Sequence, residues 1–246
     1  MYLSNRLYLI TGLVLIAITV CLALNIGFGM AASSADPTSK ADTAKMLKDF
    51  YDHRTLYVLS IGFSLLLDCG LGLVISGLTY LVFRDRSRLL AITLLIGFIG
   101  NAALSAASDA ANGSILLLAK DYAHGGAGLN AGDPAILEMA HLLSAFSSLL
   151  GSTSGTMIAV AFLAMGWLIA RAPTGNVNPP RAIGWIIIVD GIAGLVGWAG
   201  FESSLGFLGF FSFIVFGITT LVFTIWLGIW LIMNRSKLPL PDGAGA

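Results

Sequence analysis

Residues 205–233 read LGFLGFFSFIVFGITTLVFTIWLGIWLIM, a block that contains no charged side chain. An apolar block of about 18 residues or more with few charges is typical of a helix that crosses a lipid bilayer. The strands of a membrane barrel are about 10 residues long and alternate between apolar and polar residues, which this block does not do. Because lipid cannot hydrogen-bond exposed backbone, the block predicts a transmembrane helix.

Further blocks of the same kind occupy most of the chain, which is 57% hydrophobic and 11% charged. A typical soluble domain has about 25% charged residues. The sequence therefore predicts an all-α, polytopic bundle of about six transmembrane helices in a single transmembrane domain over residues 1–238. A flexible tail is expected at residues 239–246. The predicted helices are 7–30, 57–83, 89–112 with a continuation to Leu118, 135–170, 183–200 and 205–233.

The first block, residues 7–30, follows Arg6 and precedes a run of small residues, as the core of a signal peptide would. Such cores are about 7–15 residues long, and this block is longer. We therefore expect it to be a transmembrane helix.

Lysine and arginine residues are distributed unevenly between the two ends of the predicted helices. Cytoplasmic loops of membrane proteins carry an excess of these residues. The dense basic turn Arg84–Arg88 lies on the side that has more lysine and arginine residues, so this side is predicted to be cytoplasmic. Both termini lie on the same side and are therefore also predicted to be cytoplasmic. Eight basic residues flank the helices on that side and five on the other: Arg6, Arg84, Arg86, Arg88, Arg171, Arg181, Arg235 and Lys237, against Lys40, Lys45, Lys48, Arg54 and Lys120.

This orientation predicts the result of cysteine labelling with a membrane-impermeant thiol reagent. In a background without Cys21 and Cys69, we expect reaction from outside the cell at Ser39→Cys and Gly126→Cys, because both loops are predicted to be external. Ser87→Cys should react with the reagent only after the membrane has been permeabilised. Labelling of Ser87→Cys in intact cells would reverse the predicted topology.

The external loop before the second predicted helix contains a short amphipathic segment. In residues 41–54, the apolar side chains Met46, Leu47, Phe50 and Tyr51 share one face at helical spacing. We expect a short helix that lies on the outer membrane surface.

Two aspartates fall near the middle of predicted helices, where a charge is costly and marks a functional candidate. Asp68 opens the stretch DCGLGLV and Asp190 opens DGIAGLV, so each is followed by three residues and then Gly-Leu-Val. The two helices would run in opposite directions, as in the inverted repeats of secondary transporters. The alternative interpretation is that each aspartate makes a polar contact between helices.

Polar residues form a stripe along the third predicted helix and a second stripe along the fourth. Small and hydroxyl side chains commonly mediate helix contacts in lipid, so we expect the two stripes to face each other. The first contains Asn101, Ser105, Ser108, Asp109 and Asn112, and the second His141, Ser144, Ser148 and Ser152.

Metal ligation is a further candidate function on the external side. Glu138 and His141 are three residues apart and Asp49 and His53 are four apart, so each pair would share a helical face. Imidazole and carboxylate ligands suit zinc, copper or iron. The spacing does not specify a complete ligand set, and no metal is predicted to be tightly bound.

Catalytic, nucleotide and redox functions receive little support from the remaining sequence. No phosphate-binding glycine loop or zinc-protease motif is present. No catalytic residue is identified, no cofactor is indicated, and an enzyme is the less favoured interpretation. The formal net charge is zero, which gives no indication of nucleic-acid binding. Cys21 and Cys69 both fall within apolar blocks and are expected to pack as small apolar side chains.

Two apolar segments carry a resemblance to a known family. Residues 166–171 read GWLIAR, a proline follows, and Ile183-Gly184-Trp185 opens the helix that contains Asp190-Gly191. In these segments, and in the order and length of its apolar blocks, the chain resembles a bacterial family of uncharacterised six-helix integral membrane proteins, a domain of unknown function. The resemblance implies this topology and no particular activity.

Three functions remain from the sequence. The first is a non-catalytic accessory or scaffold subunit of a larger membrane complex, which could be an energy-transducing one. The second is a small secondary transporter with Asp68 and Asp190 at its centre, and the third is a membrane metal protein or enzyme that uses Glu138 and His141. The expected partners are the lipid bilayer and other membrane subunits or further copies of the chain, in the inner, cytoplasmic membrane.

Overall fold

The computed structural model describes residues 2–32, 43–125, 130–172, 178–200 and 206–238, and in these segments every regular element is helical. Six of the helical spans are long and apolar enough to cross a membrane. The predicted all-α transmembrane fold with six spans is therefore confirmed. The cytoplasmic position of both termini and the single transmembrane domain stay predictions. The expected tail and the loops around Ser39 and Gly126 lie outside the described residues.

The helices are close to the predicted spans at most of their ends. The short helix α2 (Thr43–Asp52) corresponds to the amphipathic segment in the first loop, and α3 (Arg54–Leu65) and α4 (Gly72–Phe83) together form the second span. In chain order the helices are α1 (Tyr2–Ala32), α2 (Thr43–Asp52), α3 (Arg54–Leu65), α4 (Gly72–Phe83), α5 (Arg88–His124), α6 (Pro134–Ala170), α7 (Arg181–Gly200) and α8 (Gly206–Asn234).

A π-helical turn, Leu66–Leu71, joins α3 to α4 within the second span. Such turns insert one extra residue into the hydrogen-bond ladder and are frequent at functional sites. The sequence predicted an uninterrupted helix here, since no proline marks the position. Asp68 lies within the turn.

Helix α5 extends to His124 and does not end at Asn112 or Leu118, the two ends expected from the sequence. With 37 residues, it is about 55 Å long, against about 30 Å for the hydrocarbon core. Its last turns remain helical because Ile115 and Ala119 pack with fully buried Leu47 of α2 and with Ile136 and Ala140 of α6. Gly125 follows the last helical residue, His124, and its φ of +75° suits the left-handed conformation that commonly ends a helix.

The chain packs as two compact units, each built from several helices. The first unit comprises Met1–Val20, Asp68–Ala103 and Ser152–Ala246. Its core is centred on Phe162, whose ring makes edge contacts with Phe98 at 5.9 Å and Phe223 at 5.1 Å between centroids. The second unit comprises Cys21–Leu67 and Leu104–Gly151, and its core contains the cluster around Leu47.

Helices α6 and α7 approach each other closely at two glycines in the first unit. A Cβ atom on Gly184 would lie 2.4 Å from the backbone nitrogen of Ala170 and 2.8 Å from the backbone oxygen of Gly166. Real Cβ atoms do not come so close to backbone, and small residues are what allow such contact between membrane helices. The two segments that carry the family resemblance therefore meet in the fold.

Candidate functional site

Asp190 is completely buried in the middle of α7 and is bonded to α8. The hydroxyl of Thr219 donates a hydrogen bond to carboxylate oxygen Oδ1 of Asp190. The hydroxyl of Thr220 lies 3.1 Å from both Oδ1 and Oδ2. A buried carboxyl group is costly unless its oxygens accept hydrogen bonds, and these two hydroxyls supply them. The arrangement is a polar clasp between α7 and α8, which we call the Asp190 clasp.

The polar contacts continue from the Asp190 clasp to α1. One turn along α8, the hydroxyl of Thr224 donates to the backbone oxygen of Thr220 at 2.6 Å. The same hydroxyl lies 2.7 Å from the hydroxyl of Thr19 on α1, and both side chains are buried. The aspartate and four threonines, Thr219, Thr220, Thr224 and Thr19, thus link α7, α8 and α1 by hydrogen bonds at positions where lipid offers no alternative partner.

A second network begins at Asp68 in the π-helical turn. The Asn101 side-chain amide Nδ2 donates to Oδ1 of Asp68 at 2.9 Å. The hydroxyl of Ser154 on α6 donates to Oδ1 of Asn101 at 2.8 Å. Asn101 and Ser154 are both buried. The structure therefore brings together two candidates of the sequence analysis, Asp68 and Asn101, and joins them to α6.

Three members of the polar stripe on α5, Asn101, Ser108 and Asn112, bond to α6, and their partners there are Ser147 and Ser154, which the predicted stripe on α6 did not include. The hydroxyls of Ser108 and Ser147 are 2.9 Å apart, and Ser147 also donates to Oδ1 of Asn112 at 3.0 Å. Ser147 is buried, whereas Ser148 is exposed. Successive helical residues are rotated by about 100° around the axis, so the face that bonds to α5 carries Ser147 and Ser154, and the predicted Ser148 is turned away from it.

Asp109 lines a partly open cavity of about 260 Å³ in the second unit. We call it the Asp109 cavity. The Asp109 side chain is 8% exposed. Polar atoms come from α1, α3 and α5, and stacked aromatic rings of Phe50 and Tyr57, 4.0 Å apart between centroids, form part of the wall. The polar lining residues are Asn25, Tyr57, Ser60, Ser64, Asp109 and Asn112.

The residues considered for metal binding occupy two places. Glu138 and His141 are exposed on the first turns of α6, and Asp49 and His53 lie at the end of α2 and just after it. In the described part of the chain, no group of three or more histidine, cysteine, aspartate or glutamate side chains could hold a metal ion. Among the described residues, this arrangement therefore adds no third ligand to either of the two predicted pairs.

The sequence analysis missed the hydroxyl groups that bind the two mid-helix aspartates. Thr219, Thr220 and Ser154 were not recognised, since serine and threonine are common in membrane helices and bond to their own backbone there. One signal was available: Thr220 and Thr224 are spaced i, i+4 within a charge-free block, which places both on one face of α8.

Comparison with known proteins identifies a family for the chain. A family model described as "Domain of unknown function (DUF4386)" matches residues 10–234. No curated protein and no solved structure matches the chain. The matched segment contains all six long apolar helices in full or nearly in full. This multi-pass, six-span chain belongs to the DUF4386 family, an uncharacterised family of domains of unknown function.

Proposed function

We propose that the chain is a non-catalytic accessory or scaffold subunit of a larger membrane complex. The observation that supports this role best is the Asp190 clasp, in which the carboxyl group is fully buried and is bonded to hydroxyls of α8. A carboxyl group that exchanges protons or ions during transport needs access to water or to a moving ligand. A carboxyl group in a dry contact between helices serves to hold those helices together.

The network of Asp68, Asn101 and Ser154 supports the same proposal. It connects the π-helical turn, α5 and α6 through two side-chain hydrogen bonds of 2.9 and 2.8 Å. Together with the backbone contact of α6 and α7 at Gly184, these bonds hold helices at fixed rotations. Fixed helices suit a subunit whose surface positions neighbouring subunits, which would be other membrane proteins or further copies of the chain. The proposed location is the inner, cytoplasmic membrane of a bacterial cell.

A small secondary transporter is the alternative, and one observation favours it. Asp68 in the second span bonds to α5 in the third, and Asp190 in the fifth span bonds to α8 in the sixth. In an inverted repeat of the first and last three spans, these contacts would be equivalent. π-helical turns are frequent at functional sites of many kinds, so the turn at Asp68 does not separate the two functions.

Purification from native membranes combined with a flux assay distinguishes the two functions. Mild detergent should extract the chain in an assembly larger than one copy, with its other components at a constant ratio. In proteoliposomes, the purified chain should pass no protons, and Asp68→Asn and Asp190→Asn should behave like the unmodified protein. Asp52→Asn, an exposed aspartate on α2, is the matched control.

The opposite pattern would favour the transporter. It consists of a single copy in mild detergent, a proton flux in the unmodified protein, and loss of that flux in Asp68→Asn or Asp190→Asn. The flux would have to survive in Asp52→Asn, which changes the same chemical group outside the spans.

A further inference from the structure

We propose that the Asp109 cavity binds a small organic cation, a protonated amine with an apolar body. This inference is independent of the scaffold role, since it concerns a different set of residues in the second unit. At about 30 Å³ for each water molecule in the liquid, a cavity of 260 Å³ has the volume of roughly nine waters. That volume is close to the lower end of ligand pockets and suits a ligand with one ring or a short chain.

The charge of the lining selects for a cation. Asp109 supplies a carboxylate, and none of the described lining residues is basic. Ionised carboxylates accept strong, charge-assisted hydrogen bonds from ammonium groups. Because the Asp109 side chain is 8% exposed, its attraction for a cation is screened less by water than at an open surface.

The aromatic wall selects for an organic cation over a metal ion. The stacked rings of Phe50 and Tyr57 present apolar surface next to the polar groups. Aromatic faces attract ammonium groups, and they also pack against hydrocarbon. Calcium binds six to eight oxygen ligands and magnesium requires near-ideal octahedral oxygen geometry, usually with carboxylates. One carboxylate beside an aromatic wall matches an amine better than either ion.

The amide and hydroxyl groups of the cavity are held in place by bonds to neighbouring residues. Ser60 donates to Oδ1 of Asn25 at 3.0 Å, and Ser147 donates to Oδ1 of Asn112 at 3.0 Å. A carbonyl oxygen has two acceptor sites, so each amide oxygen can accept a second hydrogen bond. Because these polar groups are already held in place, less conformational entropy is lost when a ligand binds. An ammonium group can donate up to three hydrogen bonds. The carboxylate of Asp109 and the amide oxygens of Asn25 and Asn112 could accept them.

Binding to the full-length protein in phosphatidylcholine nanodiscs tests the proposal. The probe is 2-phenylethylammonium, compared with the neutral 2-phenylethanol and the anionic phenylacetate, which share its ring and chain. We expect calorimetric titration to show saturable binding of the ammonium compound, at least about tenfold tighter than the alcohol, because the charge-assisted bond is lost in the alcohol. Phenylacetate should not bind.

Substitutions within the cavity connect this selectivity to the named residues. Asp109→Asn keeps the shape of the side chain and removes its charge, so affinity for the ammonium compound should fall at least about tenfold. Tyr57→Leu removes one ring and should weaken binding about threefold. Asp121→Asn, on the same helix but outside the described lining, is the matched control and should bind like the unmodified protein. Thermal unfolding of each variant shows whether it is folded.

Several results would overturn the proposal. Equal affinity for the ammonium compound and the alcohol in the unmodified protein would show that charge is not recognised, whatever the variants do. Unchanged affinity in a folded Asp109→Asn would place the site elsewhere. Binding of sodium or magnesium chloride at this site, with no binding of the ammonium compound, would identify an inorganic cation as the ligand.

Discussion

Replacing Gly184 by alanine is expected to lower the free energy of unfolding by about 2 kcal/mol or more. The new Cβ would lie 2.4 Å from the backbone nitrogen of Ala170 and 2.8 Å from the backbone oxygen of Gly166. Neither atom belongs to a flexible side chain, so α6 and α7 must move apart. Unfolding of the purified protein in detergent, followed by circular dichroism, measures the change.

Gly217→Ala in α8 is the matched control for this substitution. Nothing lies within 4 Å of a Cβ atom at Gly217, and alanine has a higher helix propensity than glycine by about 1 kcal/mol. We expect this variant to be as stable as the unmodified protein or more stable. Equal behaviour of Gly184→Ala and Gly217→Ala would mean that α6 and α7 do not make the backbone contact described above.

Asp190→Leu should lower the free energy of unfolding by about 2 kcal/mol, because the hydroxyls of Thr219 and Thr220 lose the carboxylate that accepts their hydrogen bonds. Asp190→Asn keeps the size of the side chain and one carbonyl acceptor, so its effect should stay below about 1 kcal/mol. Thermal or denaturant unfolding in the same detergent compares the two variants.

Thr156→Val on α6 is a control for Asp190→Leu, since Thr156 is exposed and its hydroxyl bonds to the backbone oxygen of Ser152 in its own helix. It should leave stability nearly unchanged. Combining Asp190→Leu with Thr220→Val should cost less than the sum of the single changes, because residues that share a hydrogen bond are coupled. Strictly additive effects, or a stable Asp190→Leu, would exclude a structural role for the Asp190 clasp.

The candidate site was only partly predictable from the sequence. Asp68, Asp190 and Asn101 were recognised because charged and amide side chains are rare and costly within an apolar span. Their partners Thr219, Thr220 and Ser154 were not, since each could equally have bonded to its own helix or faced lipid. The metal site at Glu138 and His141 stays a prediction, and both side chains are exposed.

The family resemblance had a structural basis that only the fold revealed. Gly166 and Gly184 belong to two segments that are separate in the sequence, residues 166–171 and 183–185. In the structure the two glycines meet where α6 and α7 make backbone contact. We infer that these weak hydrophobic motifs describe a packing requirement of the helices.

By itself, the sequence determined the six transmembrane helices and the short amphipathic helix α2. Lipid forces each span to bond its own backbone, so local composition and length are enough to predict a helix. The tertiary structure decided the π-helical turn at Asp68, the choice of Ser147 over Ser148 and the pairing of Asp190 with Thr219 and Thr220. These depend on the rotation and spacing of neighbouring helices. Rotation and spacing are set by close contacts between residues far apart in the chain, which no single apolar block specifies.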